Sequence, residues 1–211
     1  MYQRPVTLPF KEIATQFSKK LKKIKVFLCD ADGVLTDGFI HWGNAEVGFT
    51  RQFHTQDGYG LKMLEHLGIK TGIISGGASI ALIKRIETIG ITYTYLGNED
   101  KIHAYKEILK LAKVKDHEVL YIGDEIFDIP ILERVGFSAA PPHASMLVQE
   151  NVDYITSRQG GHACVREVID LLLYAKNIDI KKRFLTRSVK PGQNTKTKST
   201  TKKKAHTKKS L

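Results

Sequence analysis

"FLCDADGVLTDG", residues 27–38, carries an apolar run straight into two carboxylates, Asp30 and Asp32. An isolated buried carboxylate is costly and tends to take up a proton instead. The pair therefore demands a cation or a partner, and the run before it demands a core. "IKVFLC" reads as a short buried strand, and the same kind of segment recurs downstream. "GLKMLEHLG", "IKTGIIS", "ASIALIKRIETIG", "ITYTYL", "KIHAYKEILKLAK", "EVLYIGD", "DIPILERVG" and "FSAA" alternate between helical and strand patterns. Continuous apolar strands alternating with helices imply an α/β fold, a parallel sheet covered on both faces.

Outward from this frame, Phe10, Ile13, Phe17, Leu21 and Ile24 recur at helical spacing and predict an amphipathic helix over residues 9–22. "FIHWGNAEVGFTRQF" has Gly43 and Asn44 between two β-prone arms and reads as a hairpin inserted after the first strand. "CVREVIDLLLYAKN" makes a last amphipathic helix.

The net charge of +11 is unevenly placed. Residues 181–211 hold twelve Lys and Arg and no acid, which leaves the first 180 residues close to neutral. This stretch has almost no large apolar residue to offset chain entropy, so it is expected to be a disordered basic tail on a domain spanning 1–180. Such a tail could bind polyanions, so a nucleic-acid-binding protein is one competing function. It lacks interleaved aromatics for base stacking. Cys29 and Cys164 sit in apolar contexts without metal-like spacing. No run approaches the roughly 18 apolar residues of a membrane span. With no secretory signal in view, a cytoplasmic protein is expected.

In a sheet of this kind ligands bind beyond the carboxyl ends of the strands. Four polar signals fall there, each after its own strand. They are Asp30 with Asp32, Ser75, Lys101, and Asp124 with Glu125 and Asp128 close behind. Converging carboxylates repel unless a hard cation lies among them, and Mg²⁺ suits carboxylates, waters and a substrate phosphate. Ser75 can donate to a phosphate oxygen and Lys101 can neutralise another. Asp30 is then a nucleophile able to form an aspartyl-phosphate, and Asp32 an acid that becomes a base. That role needs Asp32 protonated near neutral pH, which neighbouring carboxylates in a desolvated site would favour. The expected metal ligands are the carboxylates of Asp30 and Asp124 and the backbone carbonyl of Asp32, with a lesser part for Glu125 and Asp128.

"DADGVLT", Ser75, Lys101 and "GDEIFD" resemble the motifs of the haloacid dehalogenase superfamily of phosphotransferases. "DGFIHWGN", "RQFHTQDGYGLKML" and "VREVIDLLLYAKN" resemble its 3-deoxy-D-manno-octulosonate 8-phosphate (KDO 8-phosphate) phosphatase subfamily. The resemblance covers roughly residues 20–177. It implies a capless Rossmann-like enzyme that hydrolyses a sugar-acid phosphate for lipopolysaccharide synthesis. It also implies a homotetramer in which a neighbour's hairpin and C-terminal segment complete the site. A phosphatase of a nine-carbon acid sugar 9-phosphate is a close variant. Gly76 falls in the phosphate-binding loop, and Asp57 with Gly58 and Gly60 matches the subfamily motif, although a turn and helix cap would explain it equally. Two positions depart from the pattern. Gly77 stands where an arginine usually follows Gly76, and His162 stands at the arginine of the usual Gly-Gly-Arg-Gly. Arg51 and Arg166 are left as cationic candidates for the substrate, and Arg166 also reads as a helix-surface residue.

Overall fold

The computed structural model describes residues 8–185, and these divide into two units, one ending at Ile178 and one beginning at Asp179. The chain opens with helices α1 (Leu8–Gln16) and α2 (Ser18–Leu21), so the amphipathic lead-in predicted as one helix is interrupted at Phe17. Phe17 packs edge-on against Phe137 at 5.2 Å, which turns the chain there toward the sheet.

Strand β1 (Val26–Cys29) is fully buried. Burying each of its large side chains stabilises the fold by roughly 1.5–3 kcal/mol. The hairpin follows as β2 (His41–Trp42) and β3 (Phe49–Thr50), paired antiparallel. Its connection runs from Gly43 to Gly48 and is closed by Asn44, whose side chain accepts from the N–H groups of Glu46 and Val47. The turn is longer than Gly43-Asn44 alone implied.

Then come α3 (Thr55–His66), β4 (Lys70–Ser75), α4 (Ile80–Ile89), β5 (Tyr93–Leu96), α5 (Lys101–Ala112), β6 (Val119–Ile122), α6 (Ile129–Leu132), β7 (Phe137–Ala140), α7 (Met146–Glu150), β8 (Tyr154–Ile155) and α8 (Cys164–Ala175). Helix α3 begins five residues before the periodic stretch that predicted it. His54 caps it, its Nδ1 accepting from the N–H of Gln56. Helix α4 is bounded as its sequence requires, by the Ser79 hydroxyl accepting from Leu82 and by Gly90 at φ 81°.

Six strands form one parallel sheet in the order β5-β4-β1-β6-β7-β8. The chain builds outward from β1 through β4 and β5, then returns to the other side of β1 with β6. The strand order therefore reverses at β1, the place where open parallel sheets bind ligands. Helix α8 covers the sheet with nine of its twelve residues buried, which makes it a core helix, and both α1 and α3 pack on it. The second unit carries a short helical turn at Lys181–Leu185. The rest of the expected tail, residues 186–211, lies outside the described residues.

Candidate active site

The loop leaving β1 is wound tightly by its own backbone. The Ala31 carbonyl accepts from the N–H groups of Val34, Leu35 and Thr36. Gly33 sits at φ 83°, and a Cβ there would lie 2.0 Å from Asp124 Oδ2. Glycine at 33 is thus required twice, for the left-handed backbone and for the approach of Asp124. Replacing Gly33 with alanine is expected to push the Asp124 carboxylate away. The check is Mg²⁺ titration by calorimetry together with thermal melting. Metal affinity should fall at least tenfold while the fold survives.

Asp30, Asp124 and Asp128 bring one carboxylate oxygen each within 4.8 Å of the others. Lys101, the first residue of α5, reaches into this cluster with its ammonium 2.7 Å from Asp128 Oδ1 and 3.0 Å from Asp30 Oδ1. It also lies 4.3 Å above the Phe127 ring, a cation–π contact. Burial works against this ammonium, but Asp30 and Asp128 outweigh it and hold it charged. One ammonium among three carboxylates leaves two negative charges in excess.

That excess is visible in the acids. Burial raises the Asp30 carboxyl, Asp128 adds to the rise, and Lys101 opposes it. Burial, then Asp30 and Asp128, push Asp124 up to about 8. Asp124 Oδ1 is buried with no hydrogen-bond partner. A divalent cation on Asp30 and Asp124 would answer both the charge and the orphaned oxygen, so the residues fit one.

Asp128 has no such vacancy. Its Oδ1 accepts from Lys101 and from the Tyr121 hydroxyl at 2.6 Å, and its Oδ2 accepts from the backbone N–H groups of Asp124 and Glu125. It acts as a hub that fixes the loop carrying Asp124. Tyr121, buried on β6, was not singled out by the sequence reading, because a strand tyrosine looks like ordinary core.

Asp32 meets a different neighbour from the carboxylates expected. Both its oxygens are held by Arg51, Nε to Oδ1 at 2.5 Å and Nη2 to Oδ2 at 2.8 Å. Ser75 is buried at the end of β4, its Oγ accepting from the N–H of Gly77. A Cβ on Gly77 would lie 2.9 Å from Asp32 Oδ2, 3.0 Å from Arg51 Nη2 and 3.6 Å from Ser75 Oγ. So Asp32, Arg51 and Ser75 surround position 77, and Gly76 beside it packs under Glu99.

Asp57 and Arg166 meet each other. Asp57 is 1% exposed, its Oδ1 accepts from the N–H of Arg166 at 2.7 Å, and the Ala163 N–H also faces its carboxylate. Ala163 precedes α8 in a left-handed conformation with no cap of its own, so Asp57 on α3 serves as the cap of α8. Burial raises its carboxyl to about 6 against those N–H bonds. The Arg166 side chain is paired with Asp170 one turn along α8. His162 is exposed, its Nδ1 2.9 Å from the Gly160 carbonyl.

A family model for haloacid dehalogenase-like hydrolases matches residues 90–168. The chain is 37% identical over 165 residues to 3-deoxy-D-manno-octulosonate 8-phosphate phosphatase of Yersinia pestis, covering 78% of this chain and 88% of that one. The crystal structure of that phosphatase from Moraxella catarrhalis, in complex with a magnesium ion, a phosphate ion and KDO, is similar with a TM-score of 0.76 at 34% identity, covering 82% and 98% of the two chains. The cobalt-bound phosphatase from Haemophilus influenzae gives a TM-score of 0.74 at 36% identity over 79% and 99%.

Proposed function

This chain belongs to the 3-deoxy-D-manno-octulosonate 8-phosphate phosphatase family, and we propose that it hydrolyses KDO 8-phosphate to KDO and phosphate with Mg²⁺. The observation that carries the reading is the convergence of Asp30, Asp124 and Asp128 with one ammonium at the point where the strand order reverses. Asp30 and Asp124, with the backbone carbonyl of Asp32, would hold the ion. Bound there, it would offset the carboxylate charge and polarise the phosphoryl group.

Asp30 attacks phosphorus, forming an acyl-phosphate as the bond to the sugar oxygen breaks. Its Oδ1 is held by Lys101 and by the N–H of Ala31 at 2.6 Å, which orients the carboxylate. Ser75 donates to a phosphate oxygen, with Gly76 forming the loop beside it. Asp32, released from Arg51 and taking up a proton from solvent, gives that proton to the leaving sugar oxygen and then takes one from the water that hydrolyses the acyl-phosphate. Arg51 offers its guanidinium to the substrate's anionic groups. Arg166 and Asp57 support the site through the α8 cap.

The exposed Phe39, Ile40, Trp42, Val47 and Phe49 of the hairpin support assembly into a homotetramer. Among the described residues no helix is long and apolar enough to cross a membrane. A cytoplasmic enzyme whose basic tail, residues 181–211, binds polyanions completes the proposal.

The test is purified protein with Mg²⁺ against a panel of KDO 8-phosphate, a nine-carbon acid sugar 9-phosphate and a neutral aryl phosphate. The highest kcat/KM is expected on KDO 8-phosphate. A higher value on the nine-carbon acid would move the substrate assignment there. Absence of phosphate release from all three, with tight RNA binding lost on deleting residues 181–211, would replace the enzyme reading by a nucleic-acid-binding one.

A further inference from the structure

The Asp32–Arg51 pair spans nineteen residues of sequence and joins the nucleophile loop to the strand leaving the hairpin. The Arg51 side chain is only 9% exposed, against 32% for Asp32, so the guanidinium is the more buried member of the pair. Burying an arginine is costly unless its donors are met. Here Nε and Nη2 are met by both oxygens of one carboxylate, a bidentate contact of the strong kind.

The space in which this happens exists because residue 77 has no side chain. A Cβ there would approach both members of the pair to about 3 Å, closer than ordinary contacts, so one of them would have to move. The same point is 3.6 Å from Ser75 Oγ, so the guanidinium borders the position where Ser75 would meet a phosphate.

We propose that Arg51 and Gly77 form a matched pair in which glycine at 77 leaves room for a cation delivered from the hairpin, and that this cation selects substrates bearing a second anion besides phosphate. Asp32 cannot reach a leaving group while both its oxygens are held by Arg51. A substrate carboxylate is an equivalent partner for the guanidinium, and by taking it frees Asp32. A phosphate monoester without a second anion must open the pair without compensation. The proposal rests on Asp32 being the acid–base of a phosphatase. It goes further by assigning acid-sugar preference to a guanidinium that enters from β3 and to the glycine that admits it. Arg51 thus works partly as a positioning residue for Asp32 and partly as the specificity contact.

The experiment uses the full chain with Mg²⁺ and three variants, Arg51→Ala, Gly77→Arg and the double variant. Activity is read as the ratio of kcat/KM for KDO 8-phosphate to that for a neutral aryl phosphate, and stability as Tm. Arg51→Ala should lower the ratio at least tenfold, mainly through KM for the sugar acid. Gly77→Arg forces two guanidiniums and a Cβ into one space and should lower Tm and activity on both substrates. The double variant keeps one guanidinium in that space, now delivered from position 77. It should regain Tm relative to Gly77→Arg and recover part of the ratio lost in Arg51→Ala. An unchanged ratio in Arg51→Ala, or a double variant no more stable and no more selective than Gly77→Arg, would overturn the proposal. The Tm comparison judges the pairing even if no phosphate is released from any substrate, an outcome that would refute the phosphatase reading and the assigned selectivity with it.

Discussion

Asp30→Asn abolishes turnover, with kcat falling by a factor of at least about 10⁴, as expected when a covalent nucleophile is removed. An amide cannot attack phosphorus to give an acyl-phosphate, yet it fills the same space. Asp30 is 3% exposed and held by the Ala31 N–H and the Lys101 ammonium, contacts an amide oxygen can also accept. The variant should therefore fold and melt near the parent, and it should still bind inorganic phosphate. Single-turnover kinetics with thermal melting checks both halves. A variant that keeps most of its rate would mean that water attacks phosphorus directly.

The second large effect concerns metal and pH together. Asp124 and Asp57 have folded-state values near 8 and 6 against an ordinary value of 3.8, and Asp30 is raised as well, burial being the first cause in each case. A raised acid binds its proton more tightly in the folded state than in the unfolded one. Its stabilising contribution is thus fully present below about pH 4 and is lost as pH rises toward about 8. Metal-free protein in EDTA should melt lower at pH 8 than at pH 5.5. Given that roughly 1 kcal/mol moves Tm by 2–4 °C in a domain of this size, a fall of at least about 5 °C is expected. Excess Mg²⁺ should reverse the trend, because it binds the carboxylates in their charged form and its benefit grows with pH. Activity should vanish in EDTA. A metal-free protein equally stable at both pH values, or full activity in EDTA, would contradict the charge balance assigned to this site.

Most of the frame was legible because each central strand is a short apolar run with its own polar terminus. The six-residue "KTGIIS" is buried at every position after Lys70, and the four-residue "VLYI" is buried throughout, as a parallel sheet requires. Helix α7 and strand β8 were missed for the opposite reason. Five and two residues are too few to carry a period, and their existence depends on tertiary contacts, α7 with the turn at Ile126–Asp128 and β8 with β7. The start of α3 was hidden by Gly58 and Gly60, which read as a turn, whereas in the structure they lie inside the helix. A Cβ at Gly60 would lie 2.9 Å from the Ile169 side chain, and one at Gly58 would meet Arg85.

In the site, the residues that follow strands were readable, since topology alone gathers strand ends. The partners that side chains choose across long separations were not. Nothing local in Arg51 points to Asp32, nothing in Asp57 to the start of α8, and nothing in Tyr121 to Asp128. Those three contacts show what Arg51, Asp57 and Tyr121 hold in place, namely Asp32, the start of α8 and Asp128.

The central claim is that Asp30 carries the phosphoryl group. It is tested most directly by trapping: the protein is mixed with KDO 8-phosphate and Mg²⁺, quenched in acid within the first turnover and digested for mass spectrometry. The account predicts one added phosphoryl group on the peptide containing Asp30, absent when Asp30→Asn is introduced. Phosphate release with no labelled peptide, or a label on another residue, would contradict it.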